Sequence, residues 1–142
     1  MRTLELHAHA KQVKRSSGRS SVAAAAYRSA SRLVDERTGE THDYSNKQGV
    51  EHTRIYAPDS APDWVQDREA LWNAAEVKEN RRNSCTAHEL EVSFPHEFNA
   101  MQRREAGDAI AREIMQRYSV AVDIAYHLPT GETDTRNYHA HI

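Results

Sequence analysis

Five stretches of the chain alternate apolar and polar residues with the period of two expected of strands, and three repeat with helical spacing. The first strand is "LELHAHAKQV" (4–13), followed by the turn "SSGRSS", whose serines are helix-capping residues. "SVAAAAYRSASRLVDER" (21–37) reads as one alanine-rich helix capped by Ser20 or Ser21. "TGETHDYSNKQG" (38–49) is a polar, turn-rich connection, and "VEHTRIYAP" (50–58) a short strand. "DSAPDWVQDREALWNAAEVKENRR" (59–82) reads as a helix entered through proline, with Trp64, Leu71, Trp72 and Ala75 as its buried stripe. "AHELEVSFP" (87–95) is a strand stopped by Pro95, "NAMQRREAGDAIAREIMQRY" (99–118) a third helix, and "VAVDIAYHLP" (120–129) a further strand. A polar turn over 130–137 leads into the last strand, "YHAHI". Strands interleaved with helices make the class α/β or α+β. The 130–137 connection is too short for a parallel crossover, so the last two strands form an antiparallel hairpin.

Alternation also assigns faces. On 120–128, Val120, Val122, Ile124, Tyr126 and Leu128 form the apolar face, which leaves His127 on the other. On 137–142, Tyr138, Ala140 and Ile142 oppose Asn137, His139 and His141. A hairpin that centres its turn at Thr133 or Asp134 sets His127 across from His139 or His141, and three imidazoles converge. On 88–94, His88, Leu90, Val92 and Phe94 share the core face, while Glu89, Glu91 and Ser93 share the other. Three histidines with positions left open for substrate or water form a catalytic metal arrangement rather than a closed structural one. His-x-His alone is a weak sign, because most histidines are surface residues. The chain carries its own control in His7-Ala8-His9, which lacks a third histidine on an obvious hairpin partner and reads as polar-face or DNA-side decoration.

Composition narrows the class. The 142 residues amount to one domain or part of one; 28% are charged, and no apolar run could span a bilayer or serve as a signal peptide. The single Cys85 excludes an internal disulfide and a cysteine-rich zinc site, and it fits a reducing, cytoplasmic setting. Net charge is −2, yet residues 1–34 hold seven basic side chains against one acid, Glu5. These are Arg2, Lys11, Lys14, Arg15, Arg19, Arg28 and Arg32. Such asymmetry suits phosphate binding, and a solvated basic surface would look the same. On the 21–37 helix, Arg28 and Arg32 are four apart and share a stripe.

Tyr27 lies in the same segment. "AAAAYRSAS" surrounds it with Ala23, Ala24, Ala30 and Ser31 at helical neighbour positions, so the phenol stands proud with room for a polymer backbone. The plainer reading is a half-buried tyrosine packed on the sheet beside alanines that favour a helix.

"RSSGRSSVAAAAYRSASRLVDERTGETHDYSNKQGV", "DREALWNAAE", "AHELEVSFP" and the closing "DIAYHLP…RNYHAHI" together resemble the MobA/MobL relaxases of the MobQ class. They stand in that family's order and spacing over essentially the whole chain. The resemblance implies an α+β fold of the histidine–hydrophobe–histidine (HUH) endonuclease type, an antiparallel sheet flanked by helices. It implies Tyr27 as the catalytic tyrosine and His127, His139 and His141 as ligands of a divalent metal, Mg²⁺ or Mn²⁺. Glu89 falls on the family's strand carboxylate, with Glu91 as the alternative, and orients a ligand histidine. His88 stands where the family commonly has arginine.

The implied activity is transesterification on single-stranded DNA at a plasmid origin of transfer, with accessory mobilisation and coupling proteins as partners and no membrane segment. Lys11, Lys14, Arg15, Arg19, Arg28 and Arg32 would bind the DNA. In the family the His-x-His strand continues, whereas this chain stops at Ile142. Residues 1–142 therefore read as a relaxase domain incomplete at its C-terminus, its last strand poorly anchored. Two rivals remain open on the sequence: a rolling-circle replication initiator of the same chemistry, and a remnant that binds DNA without cutting it.

Overall fold

The computed structural model describes residues 6–79, 81, 84–131 and 135–142. Seven strands and three α-helices follow in the order β1 (His7–Lys14), α1 (Ser21–Ser29), β2 (Arg32–Val34), β3 (Thr41–Asp43), β4 (Val50–Tyr56), α2 (Arg68–Lys78), β5 (Cys85–Ser93), α3 (Ala100–Tyr118), β6 (Val122–His127) and β7 (His139–His141). Short 3-10 turns at Arg15–Ser17 and Asp63–Gln66 precede α1 and α2. Five strands form one antiparallel sheet in the order β1-β5-β7-β6-β4. The fold is α+β, and the last strand in sequence is the middle strand of the sheet.

One face of this sheet carries the apolar core. Val92, Phe94, Val122, Ile124, Tyr126 and Ala140 are buried there, with Ile110, Ile114 and Met115 of α3 packed on them. Burying such side chains stabilises the fold by about 1.5–3 kcal/mol each. Tyr126 runs up to α3, where its hydroxyl donates to Asp108 and lies 3.1 Å from the Arg104 carbonyl. A Cβ at Gly107 would lie 2.4 Å from that hydroxyl, so only glycine lets the helix approach this closely. Helices α1 and α2 cover the opposite face: Arg28 of α1 reaches Glu89 on β5, and Arg68 and Trp72 of α2 reach Asp123 on β6.

Three expectations need correction. The helix predicted over 21–37 ends at Ser29, because Ala30 turns left-handed (φ 53°) and Arg32–Val34 pair instead with Thr41–Asp43. The new hairpin is tied back to the start of the helix, where the Ser20 hydroxyl donates to the fully buried Asp35. Arg28 and Arg32 therefore share no helical stripe. The helix predicted over 59–82 is confined to Arg68–Lys78, and Trp64 on the preceding turn is exposed. Its buried residues are polar: Asn73 and Glu76, with Glu69 beside them, bind Val34, Glu36, Ser21 and Arg15. A stripe that stabilises by hydrogen bonds is invisible to a search for apolar spacing.

The third concerns β7. Ile142 exchanges both backbone hydrogen bonds with Leu90 at 2.8 Å, and Phe94 donates to the Tyr138 carbonyl. The strand is not poorly anchored, because β5 and β6 hold it from both sides. Val120 and Leu128 fall outside β6, and Val120 is exposed. Thr133, Asp134 and the first five residues, among them Arg2 and Glu5, lie outside the described residues.

Candidate metal centre and nucleophile

The hairpin register sets His127 directly opposite His139, with Ala125 opposite His141. On the other side of β7, Glu91 faces His141 and Ser93 faces His139. The three imidazoles stand on the face away from the apolar core, with ring centroids 4.8–5.1 Å apart. One nitrogen from each lies within 4.8 Å of the others, the metal-capable group found among the described residues.

Each ring is oriented through one nitrogen. His127 Nε2 donates to the Arg28 carbonyl at 2.8 Å, His139 Nδ1 to the Asn137 carbonyl at 3.1 Å, and His141 Nδ1 to Glu89 Oε1 at 2.9 Å. A carbonyl or an ionised carboxylate can only accept, so the proton sits on that nitrogen. The second nitrogens, Nδ1 of His127 and Nε2 of His139 and His141, then carry the lone pairs. Burial holds His127 down at about 4, with His141 beside it adding to the shift, and burial lowers His139 as well. Neutral imidazoles with tautomers set by neighbours are the form that ligates metal. The donor set fits a divalent cation of the first transition row more closely than Mg²⁺, which prefers oxygen.

Glu89 carries more than one bond. The same oxygen that accepts from His141 accepts from Arg28 Nε at 2.7 Å. Burial alone would raise this carboxyl, but the hydrogen bonds from His141 and Arg28 and the guanidinium charge outweigh it and bring it to about 2. Glu91 has a different setting: its Oε2 lies 4.0 Å from Lys11 Nζ, diagonally across the β1–β5 pair, and the side chain is partly exposed.

The last turn of α1 completes the site. A helix end leaves backbone carbonyls without intrahelical partners. Here the Arg28 carbonyl is taken by His127, and the Tyr27 carbonyl by Lys47 Nζ at 2.9 Å. Tyr27 is 43% exposed and therefore reachable from outside. Tyr44 packs edge-on against it with centroids 5.1 Å apart, and Lys47 Nζ lies over its face, 3.5 Å from the centroid. Sequence reasoning missed Lys47 and Tyr44. Both lie in the polar 38–49 connection, and nothing local marks one of its side chains as returning to the helix.

The basic residues of the N-terminal segment separate by partner. Arg28 is held by Glu89 beside the histidines. Arg15 is drawn onto Glu76, with Nη2 2.8 Å from both a carboxylate oxygen and the Glu76 carbonyl, and it is only 13% exposed. Arg19 donates to the Gln12 carbonyl, and Arg32 on β2 stands 4.0 Å from Asp43. Lys14 is exposed on β1. His7 and His9, on edge strand β1, pair with Ser93 and Glu91, so β5 lies between them and the trio. His88 is exposed on β5.

An antiparallel sheet with three imidazoles on its paired central strands, and a helix end tied to one of them, defines an α+β fold with a histidine cluster that could hold a metal ion. The profile of the MobA/MobL family matches residues 19–142, and the chain belongs to that family. It is 41% identical over 128 residues to Mobilization protein MobL of Acidithiobacillus ferridurans, covering 90% of this chain and 33% of that protein. It is 34% identical over 136 residues to Probable mobilization protein MobA of Bifidobacterium longum, covering 96% and 24%. Conjugal transfer protein TraA of Rhizobium radiobacter is 35% identical over 150 residues, covering 96% and 13%. The chain thus spans a third or less of these relatives. A solved structure from work on the molecular basis of vancomycin resistance transfer in Staphylococcus aureus superposes with a TM-score of 0.86 at 36% identity, covering 96% of this chain and 67% of that one.

Proposed function

We propose that this domain acts in plasmid mobilisation by nicking single-stranded DNA at an origin of transfer, with Tyr27 as nucleophile. The observation that carries the reading is that His127 of the imidazole trio is hydrogen-bonded to the residue next to Tyr27. In the reaction the Tyr27 oxygen attacks the scissile phosphorus. A bond from that oxygen to phosphorus forms, and the bond from phosphorus to the 3′ oxygen breaks. The phenol proton passes to solvent, and the 3′ oxygen leaves as a hydroxyl after gaining a proton. The 5′ side remains as a phosphotyrosyl ester.

A divalent cation held by His127, His139 and His141 would supply positive charge to polarise a phosphate oxygen. Glu89 keeps His141 in its ligating tautomer and holds Arg28 beside it. A phenol in water ionises near pH 10, so charge developing on its oxygen needs positive neighbours at neutral pH. Arg28 and Lys47 are the cations nearest the Tyr27 ring. Accessory mobilisation and coupling proteins would be the partners of the full protein.

The test is covalent capture. Labelled oligonucleotides tiling the DNA that flanks the coding sequence are incubated with protein and Mn²⁺ and run on a denaturing gel. We expect a covalent band that maps to Tyr27, and its loss in Tyr27→Phe with DNA binding retained. Binding without cleavage in the wild type, or an adduct on Tyr44, Tyr56, Tyr118, Tyr126 or Tyr138, overturns the reading.

A further inference from the structure

We propose that Lys47 is a positioning residue for Tyr27: its ammonium holds the ring from one face and keeps positive charge beside the oxygen that attacks phosphorus. The inference rests on the nicking reaction proposed above. A lysine in a polar turn ordinarily extends into water, where its charge is best solvated. Lys47 instead makes two contacts with a single residue, the ring of Tyr27 at 3.5 Å from its centroid and the Tyr27 carbonyl at 2.9 Å. The first is a cation–π contact, and the second satisfies a carbonyl at the negative end of a helix. Capping alone would need only the carbonyl.

The placement is costly and well supported. Desolvation, and then the charge of Arg28, pull the Lys47 ammonium below the ordinary lysine range. The turn that presents it is fixed at both ends. Tyr44 N–H donates to the Ser31 carbonyl, Lys47 N–H to the Tyr44 carbonyl, and Leu128 N–H to the Gly49 carbonyl. Gly49 stands at φ +90°, and a Cβ there would lie 2.6 Å from Thr130. The turn is thereby tied to β6 one residue beyond His127. Tyr44 closes the ring from a second side, edge-on. The phenol is left exposed but held on two sides, which is what a nucleophile directed at a polymer requires.

The experiment pairs single-turnover cleavage with oligonucleotide binding, both in Mn²⁺, for wild type and Lys47→Met, which keeps the stem and removes the charge. The cleavage rate should fall by about tenfold, the scale of one cation–π contact, while affinity changes by less than about twofold. A wild-type rate in Lys47→Met overturns the inference, and so does a loss of affinity that equals the loss of rate, since that marks a simple phosphate contact. A second measurement needs no activity. The Lys47 ε-methylene proton resonances should be shifted upfield by the Tyr27 ring, with the shift kept in Tyr27→Phe and lost in Tyr27→Leu. Resonances at ordinary lysine positions overturn the inference by themselves. A wild type that forms no adduct removes the reaction and this role together, whereas an adduct undiminished in Lys47→Met removes this role alone.

Discussion

His127 Nε2 lies 2.8 Å from the carbonyl oxygen of Arg28, a residue 99 positions earlier in the chain. The bond joins the central hairpin to the last turn of α1. It fixes the tautomer of one imidazole of the trio and satisfies a helix-end carbonyl with the same proton. A displacement of the helix end is therefore also a displacement of His127.

Metal binding should follow the trio and ignore the other His-x-His pair. Calorimetric titration with Mn²⁺ should give one site per chain in the wild type and in His7→Ala, and none in His139→Ala. Equal loss in both variants would reject the assignment. A ligand that binds the folded state at a hundred times its Kd stabilises it by about 2.7 kcal/mol, so chelator should lower the melting temperature of wild type but not of His139→Ala.

Glu89 should affect both the ion and the fold. Glu89→Gln keeps the shape and loses the charge, and orienting partners of this kind are worth about 10–100-fold in metal affinity. The carboxyl is held at about 2, below its ordinary 4.5. Its folded-state pKa is depressed, so its contribution to stability is full above 4.5 and disappears as pH falls toward 2. The size is on the order of 3 kcal/mol. Urea unfolding midpoints of wild type and Glu89→Gln should differ most at pH 7 and converge only as pH approaches 2. A gap independent of pH would show that the charge is not what Arg28 and His141 bind.

The two basic residues Lys14 and Arg15 should behave differently despite being adjacent. Lys14 is exposed, whereas Arg15 is committed to the buried Glu76, which is only 2% exposed. Lys14→Gln should flatten the salt dependence of single-strand affinity by about 0.7 in log–log slope, one phosphate's worth. Arg15→Gln should leave the slope alone and cost about 1.5–3 kcal/mol of stability, because it removes the nearer of the two guanidinium partners of a buried carboxylate, with Arg37 left at 3.6 Å. A slope that changes with Arg15 and not with Lys14 would place the DNA on another face.

The site histidines were legible because they depend on local rules. Strand alternation puts His127, His139 and His141 on one face, and a short connection forces the hairpin that makes His127 and His139 neighbours. The same rule put Glu89 opposite the core residues Leu90 and Val92. The family resemblance, rather than its small neighbours, singled out Tyr27, and the β2–β3 hairpin beside it was not legible in the pattern.

The sequence by itself thus determined periodicity, faces and the pairing of near neighbours, which are set within a few residues along the chain. Only the tertiary structure decided where α1 stops, since Ser29 ends it only because distant groups take its last carbonyls and a hairpin claims Arg32–Val34. The fold also made α2 bury Asn73 and Glu76, committed Arg15 and Arg28 to carboxylates, and brought Lys47 onto Tyr27. Apart from the β2–β3 hairpin, whose partners lie 7 to 11 positions apart, each of these depends on a partner 20 to 99 residues away in the chain. Side-chain patterns show which face a residue occupies, whereas the partner that meets it there is chosen by packing of the whole chain.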